Sequence, residues 1–181
     1  MKYFMLETNE KNRIPYGINK NRAVDIRLLT GEDMGRLPLW NILEMDFPRE
    51  GFFPDLLCSP CLLVSHAMLK TMLMYQPDIP YKGVKLWDRK NGVNATYFLV
   101  VPDRVDAMSG RTEFNTVGNR IRKLALDKGK TADLAFFRLE GMDRNCMFGR
   151  MDFVESLLRR DVRGIRLSEV EVEEDGKIVV W

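Results

Sequence analysis

Val84-Lys85-Leu86-Trp87-Asp88-Arg89-Lys90-Asn91-Gly92-Val93-Asn94-Ala95-Thr96-Tyr97-Phe98-Leu99-Val100-Val101-Pro102 is the stretch that decides the fold. Val84 to Asp88 and Thr96 to Val101 are rich in β-branched and aromatic residues. Between them stands Asn91-Gly92, a pair that accepts the positive φ a tight reversal needs, so the two segments are predicted to form a β-hairpin. Pro102 closes the second strand, because proline cannot donate to a ladder.

Upstream of the hairpin, Ser65 is placed to cap a helix running to about Tyr75. Leu69, Met72 and Leu73 fall at helical spacing, and Pro77 forbids much extension. Lys2 to Glu7 reads as a short strand, and the polar run Asn9 to Asn21, with Pro15 and Gly17, as a loop. From Gly31 to Pro60 four prolines stand among Trp40, Phe47, Phe52 and Phe53. Regular structure is broken there while large apolar side chains still demand burial, so residues 1–60 are expected to form an irregular layer on a helix-and-hairpin core of residues 61–181.

Downstream, Arg120 to Asp127 and Leu134 to Leu139 read as two strands joined at Lys128-Gly129-Lys130. Asp152 and Glu155 have the spacing of a capping box for a helix with Phe153, Val154, Leu157 and Leu158 on its apolar face. A second hairpin is predicted from Ile165 to Glu173, across Asp175-Gly176, to Lys177 through Trp181. The sum is a single α+β domain with mostly antiparallel hairpins and two main helices. There is also an internal echo. A helix leads into Lys82-Gly83-Val84-Lys85-Leu86, and another leads into Arg163-Gly164-Ile165-Arg166-Leu167; duplication and two similar solutions to one packing problem explain it equally well.

Composition narrows the function. The chain has 181 residues, 45% hydrophobic and 30% charged, with a formal net charge of +2. That is ordinary for a globular protein, carries no long uncharged apolar run, and is too small a charge to mark a dedicated nucleic-acid binder. The apolar start Tyr3-Phe4-Met5-Leu6 is cut by Glu7, far short of a signal-peptide core, so the cytoplasm is the expected compartment. Three cysteines without a secretion signal favour free thiols. Eleven methionines, three of them at Met68, Met72 and Met74, read as adaptable core filler, with a docking surface as the sharper alternative.

Motifs for chemistry are few. Cys58-Ser59-Pro60-Cys61 followed by His66 raises metal binding or thiol chemistry, but a zinc site needs four ligands and only Cys146, far along the chain, could complete the set. The chain has no phosphate-binding Gly-Lys-Ser/Thr loop, no dinucleotide Gly-x-Gly-x-x-Gly and no Gly-x-Ser-x-Gly elbow. No catalytic residue, cofactor or metal is implied. Two charge features stand out: Arg120, Arg122, Lys123, Lys128 and Lys130 around one predicted hairpin, and an acidic strip of Glu169, Glu171 and Glu173 extended by Glu174 and Asp175. The strip is the expected partner-binding surface, against the plain reading of a solvated or edge-protecting face, and Trp40, Phe52, Phe53 and Trp87 are anchors by residue type only, with core packing the favoured reading of each.

Several segments, in order, resemble a bacterial family of immunity proteins from polymorphic toxin systems, immunity family eleven. They are Phe53-Pro54-Asp55-Leu56-Leu57 leading to Leu63-Val64-Ser65, Tyr97 to Pro102 followed by Val105-Asp106-Ala107, Phe137-Arg138-Leu139-Glu140-Gly141, and the helix Phe153 to Arg160 ending in Arg163-Gly164-Ile165-Arg166-Leu167. The second helix of that family often opens with a serine, whereas here Asp152 is expected to take over the cap. The resemblance implies a protein that binds and neutralises a cognate toxin domain, and it transfers no catalytic residue. The alternatives are an enzyme of unfamiliar type using Cys58, Cys61 or carboxylates, and a nucleic-acid-associated protein using Arg120 to Lys130.

Overall fold

A computed structural model of the chain describes residues 1–30, 33–116, 120–142 and 145–173. The first half runs β1 (Tyr3–Thr8), α1 (Ile26–Leu29), a 3-10 turn at Met34–Arg36, β2 (Trp40–Glu44), β3 (Leu56–Leu57), β4 (Leu63–Val64), α2 (His66–Tyr75), β5 (Tyr81–Asp88) and β6 (Val93–Val100). The second runs β7 (Arg104–Val105), β8 (Glu113–Phe114), β9 (Ile121–Lys123), β10 (Ala125–Asp127), α3 (Lys128–Thr131), β11 (Phe136–Leu139), β12 (Met147–Arg150), α4 (Met151–Leu158) and β13 (Ile165–Glu173). The class is α+β, with short helices and mixed sheets.

The strands form a five-stranded sheet ordered β2-β5-β6-β4-β3, a six-stranded sheet ordered β10-β13-β1-β12-β11-β7, and the small pair β8-β9. Helices α2 and α4 lie against each other, and a shared core gathers around them from both sheets: Val64 and Val100 from one, Leu6, Phe136 and Met147 from the other. Period-two alternation sends the next residues outward. Leu63 and Leu99 meet Leu29, Met34 and Leu37 of the N-terminal layer, while Phe137 and Phe148 meet Tyr3, Ala107 and Leu126 behind the six-stranded sheet.

Both sheets repeat one figure. β2-β5-β6-β4-β3 and β10-β13-β1-β12-β11 share order and strand sense: the first pair is parallel and the three others antiparallel in each. In each, a hairpin leads into a helix and then into the strand next to the edge. The register makes Tyr97 the counterpart of Tyr3, and both are buried with the same task. The Tyr97 hydroxyl donates to the Pro54 carbonyl at 2.6 Å; the Tyr3 hydroxyl bonds the Thr131 carbonyl and lies 2.9 Å from the Leu134 carbonyl, Leu134 standing two residues before β11 as Pro54 stands two before β3. The Ser65 amide donates to the Asp55 carbonyl at 2.9 Å, and its counterpart, the Arg150 amide, to the Ala135 carbonyl at 2.7 Å. The shared strand order and sense and the matched main-chain bond show that the two units follow one plan. The two units differ in connectivity: β6 follows β5 along the chain, whereas its place beside β13 is taken by β1 from the other end.

The hairpin read from Asn91-Gly92 is β5-β6, with Val84 opposite Tyr97 and Gly92 at φ +67°. The Asp88 carboxylate fastens the reversal, accepting from the Asn91 amide at 3.0 Å, the Asn91 side-chain nitrogen at 2.7 Å and the Phe47 amide at 2.9 Å. These bonds, the backbone ones first, hold its carboxyl down at about 2. The Ser65 cap is present, its hydroxyl accepting from the Met68 amide at 3.2 Å.

Four readings are corrected. β10 and β11 are not a hairpin: Asp127 accepts from the Gly129 and Lys130 amides and starts the single turn α3, which sends β10 to β13 and β11 to β12. The Asp152 capping box does not form, because Arg150 holds the N-cap position and its guanidinium grips the Asp152 carboxylate at 2.7 Å. The Gly31 to Pro60 stretch contains a five-residue strand, since Pro38 and Pro48 flank β2 rather than interrupt it. The echo pairs the right elements in the wrong register: Gly83 corresponds to Glu169, while Gly164 is a turn residue at φ +75° ahead of β13. The predicted strand Lys177 to Trp181, with Glu174 and Asp175, lies outside the described residues.

Candidate functional site

Among the described residues α2 packs on the five-stranded sheet at β6. Toward β2 the helix-side face is open, and alternation places on it Trp40 and Ile42 from β2, Tyr81 and Trp87 from β5 and Phe98 from β6. Trp40 is 58% exposed, Ile42 60%, Tyr81 46% and Trp87 45%. Each of these side chains forgoes roughly half of the ~1.5–3 kcal/mol that full burial of a large apolar side chain contributes, so a cluster of them has the composition of a contact surface.

The cluster is built, not incidental. Trp40 lies flat over Gly83; a Cβ on that glycine would stand 2.4 Å from Trp40 Cε3, so only glycine opposite Trp40 lets the indole rest on the strand. Half-buried Phe98 is the hub, with ring centroids 6.2 Å from Trp40, 5.9 Å edge-on from Tyr81 and 5.9 Å from the exposed His66 at the start of α2. Lys85 lies between Gly83 and Trp87 on the same face and donates to Thr96 Oγ1 at 3.2 Å; among the described residues no carboxylate pairs with it.

The other anchors named by type point inward. Phe53 stacks on Phe47 with centroids 4.4 Å apart, and the Phe52 ring packs against the Gly164 turn. Met68 and Met72 are fully buried, whereas Met74 is exposed.

The acidic strip occupies the positions in the six-stranded sheet that Gly83, Lys85 and Trp87 occupy in the other. Glu169 pairs with Lys2 at 2.9 Å, Glu171 with Lys123 at 2.6 Å and Glu173 with Arg111 at 3.1 Å. Lys123 holds the Glu171 carboxyl below the usual range. Part of the basic group thus meets the acidic strip within the molecule, and Lys130 is held by Asp106 at 3.2 Å. Glu174 and Asp175 lie outside the described residues.

The thiols are set apart from this face. Cys61 is buried and desolvation pushes its thiol up to about 12; burial raises Cys58 as well. The Cys146 sulfur sits 3.9 Å from that of Met142. Among the described residues no three His, Cys, Asp or Glu side chains are grouped to hold a metal ion, and no helix is long and apolar enough to cross a membrane.

No family model and no curated protein matches the chain.

Sequence reasoning named Trp40 and Trp87 by type but missed Ile42 and Tyr81. The signal was parity: in Tyr81-Lys82-Gly83-Val84-Lys85-Leu86-Trp87, Val84 and Leu86 supply one apolar face, yet Tyr81 and Trp87 fall on the other.

Proposed function

We propose that the chain is an immunity protein that binds a cognate bacterial toxin domain in the cytoplasm and neutralises it by occlusion, acting through binding and not through chemistry of its own. The observation that carries the reading is the assembly of Trp40, Ile42, Tyr81 and Trp87, all partly in water, on one face of the five-stranded sheet. Aromatic residues grouped on a rigid sheet are the anchors of tight interfaces, and the main chain beneath them is already ordered. The ordered resemblance to immunity family eleven supplies the class of partner.

The test is co-expression with the product of the adjacent upstream gene, scoring survival and recovery of a stoichiometric complex. Rescue by the native chain, with Trp40→Ala and Trp87→Ala each weakening the complex by at least ~10-fold, is the expected result. Absence of both rescue and complex would overturn the reading.

A further inference from the structure

The two units treat their edge strands differently, and one shows how the other is completed. In the six-stranded sheet the edge strand β10 is covered by the chain itself. Met108 bridges antiparallel to Leu126, the Ser109 amide donates to the Ala125 carbonyl at 2.9 Å, and the Asp127 amide donates to the Ala107 carbonyl at 2.9 Å. Thr112 Oγ1 also bonds the Ala125 carbonyl and amide, at 3.0 and 3.3 Å.

β2 is the counterpart of β10, with Ile42 in the place of Ala125, and its outer edge is open. Gly83 N–H to Leu39 C=O and Met45 N–H to Trp87 C=O fix the odd-numbered residues as those that face β5. A parallel ladder engages alternate residues, so the N–H and C=O of Trp40 and Ile42 point away from the sheet. Among the described residues the chain covers this edge only at its far end, where the Asn19 amide donates to the Glu44 carbonyl at 2.8 Å and Tyr16 bridges antiparallel to Asp46. Among the described residues no protein group bonds the outward backbone of Trp40 or Ile42. Natural edges are blunted with charge, proline or a covering segment. This one instead carries Leu39, Trp40 and Ile42, all exposed.

We infer that β2 is a strand-addition site: an extended segment of the partner pairs antiparallel with Trp40 to Ile42, as Ala107 to Ser109 pairs with β10, and lays apolar side chains at alternate positions beside Trp40 and Ile42. Main-chain bonds set the register and the aromatic face reads the side chains. The inference rests on the toxin-binding reading and adds to it the form of the bound segment.

The experiment uses the intact chain and the upstream gene product as probe. Ile42→Pro deletes one outward donor and no bond to β5, so the free variant keeps its fold, checked by circular dichroism. Ile42→Thr keeps the donor. The expected result is binding weakened at least ~10-fold by the proline and markedly less by the threonine, with the Ile42 amide in the native complex exchanging at least ~10-fold more slowly than in the free chain. Full-strength binding by the proline variant, or unchanged Ile42 exchange in a complex that Trp40→Ala still weakens, would overturn strand addition and leave the aromatic face standing. A complex indifferent to Trp40→Ala and Trp87→Ala as well would overturn both. Slow Ile42 exchange in the free chain together with a dimeric mass would assign the edge to a second copy, which also overturns the inference.

Discussion

The same five-strand unit carries two different surfaces. Where the five-stranded sheet shows Gly83, Lys85 and Trp87 under a layer of aromatic rings, the six-stranded sheet shows Glu169, Glu171 and Glu173, each bound to a cation of its own chain. Among the described residues nothing bonds the outward backbone of β2 at Trp40 and Ile42, while that of β10 is sewn to residues 107–112. The shared features are those the unit needs to fold: the two buried tyrosines, the main-chain bond at each helix start, and the alternating core. The features that differ sit on the open part of each sheet, where packing makes no demand, so that is where function can be written. A sheet closed by its own charges has little left to offer a partner; a sheet left apolar and unpaired does.

Substitutions that remove shared features have the largest expected effects. Phe153→Ala, at a fully buried position between the sheets, is expected to cost ~3–5 kcal/mol, and its counterpart Met68→Ala ~2–5 kcal/mol, both read from urea denaturation. A small loss at either site would mean that the helix pair is not the common core of both units. Removing the two buried hydroxyls comes next: Tyr97→Phe and Tyr3→Phe are each expected to cost ~1–2 kcal/mol, because the first leaves the Pro54 carbonyl and the second the Thr131 carbonyl without its side-chain donor. A loss at one and none at the other would break the equivalence of the two sites.

The reversal of β5-β6 supplies a pH test. Asp88 has its folded-state carboxyl at about 2, below the ordinary value of ~3.9, so its contribution to stability is complete above pH ~4 and is lost as pH falls toward 2. Denaturation midpoints of the native chain should fall over that window, and Asp88→Asn should flatten the fall. An equally steep decline in the variant would assign acid sensitivity elsewhere. The smallest effect belongs to the acidic strip: Glu171→Gln, at an exposed ion pair, should leave the midpoint where it is, and on the proposed reading should leave toxin binding unchanged. Weakened binding would return the strip to the interface.

What was legible in the sequence was local. Asn91-Gly92 needs only its own φ to declare a turn, and Ser65 needs only the Met68 amide three residues on, so both the hairpin and the first cap could be read directly. What was hidden depends on distant partners. β2 is a strand because β5 lies beside it, and no residue between Pro38 and Pro48 announces that. Asp152 has the spacing of a cap, but Arg150 competes for its carboxylate and wins. The acidic strip was legible as a strand face from its alternation, whereas its cations, Lys2, Arg111 and Lys123, come from three other segments. Of the open face, Trp40 and Trp87 were visible by type; that they share a surface with Ile42 and Tyr81 is settled by register.

The insertion of β1 between β12 and β13 has a consequence for how the chain is made. The five-stranded sheet draws all its strands from residues 40–100, so every strand pairing in it lies within that stretch. β1 is synthesised before either of its neighbours and must wait for nearly the whole chain, bridging Tyr3 to Val170 before the six-stranded sheet can close. Pairings of that sequence separation are slow to form. Every strand of the aromatic face is thus synthesised before the charged sheet has its full set.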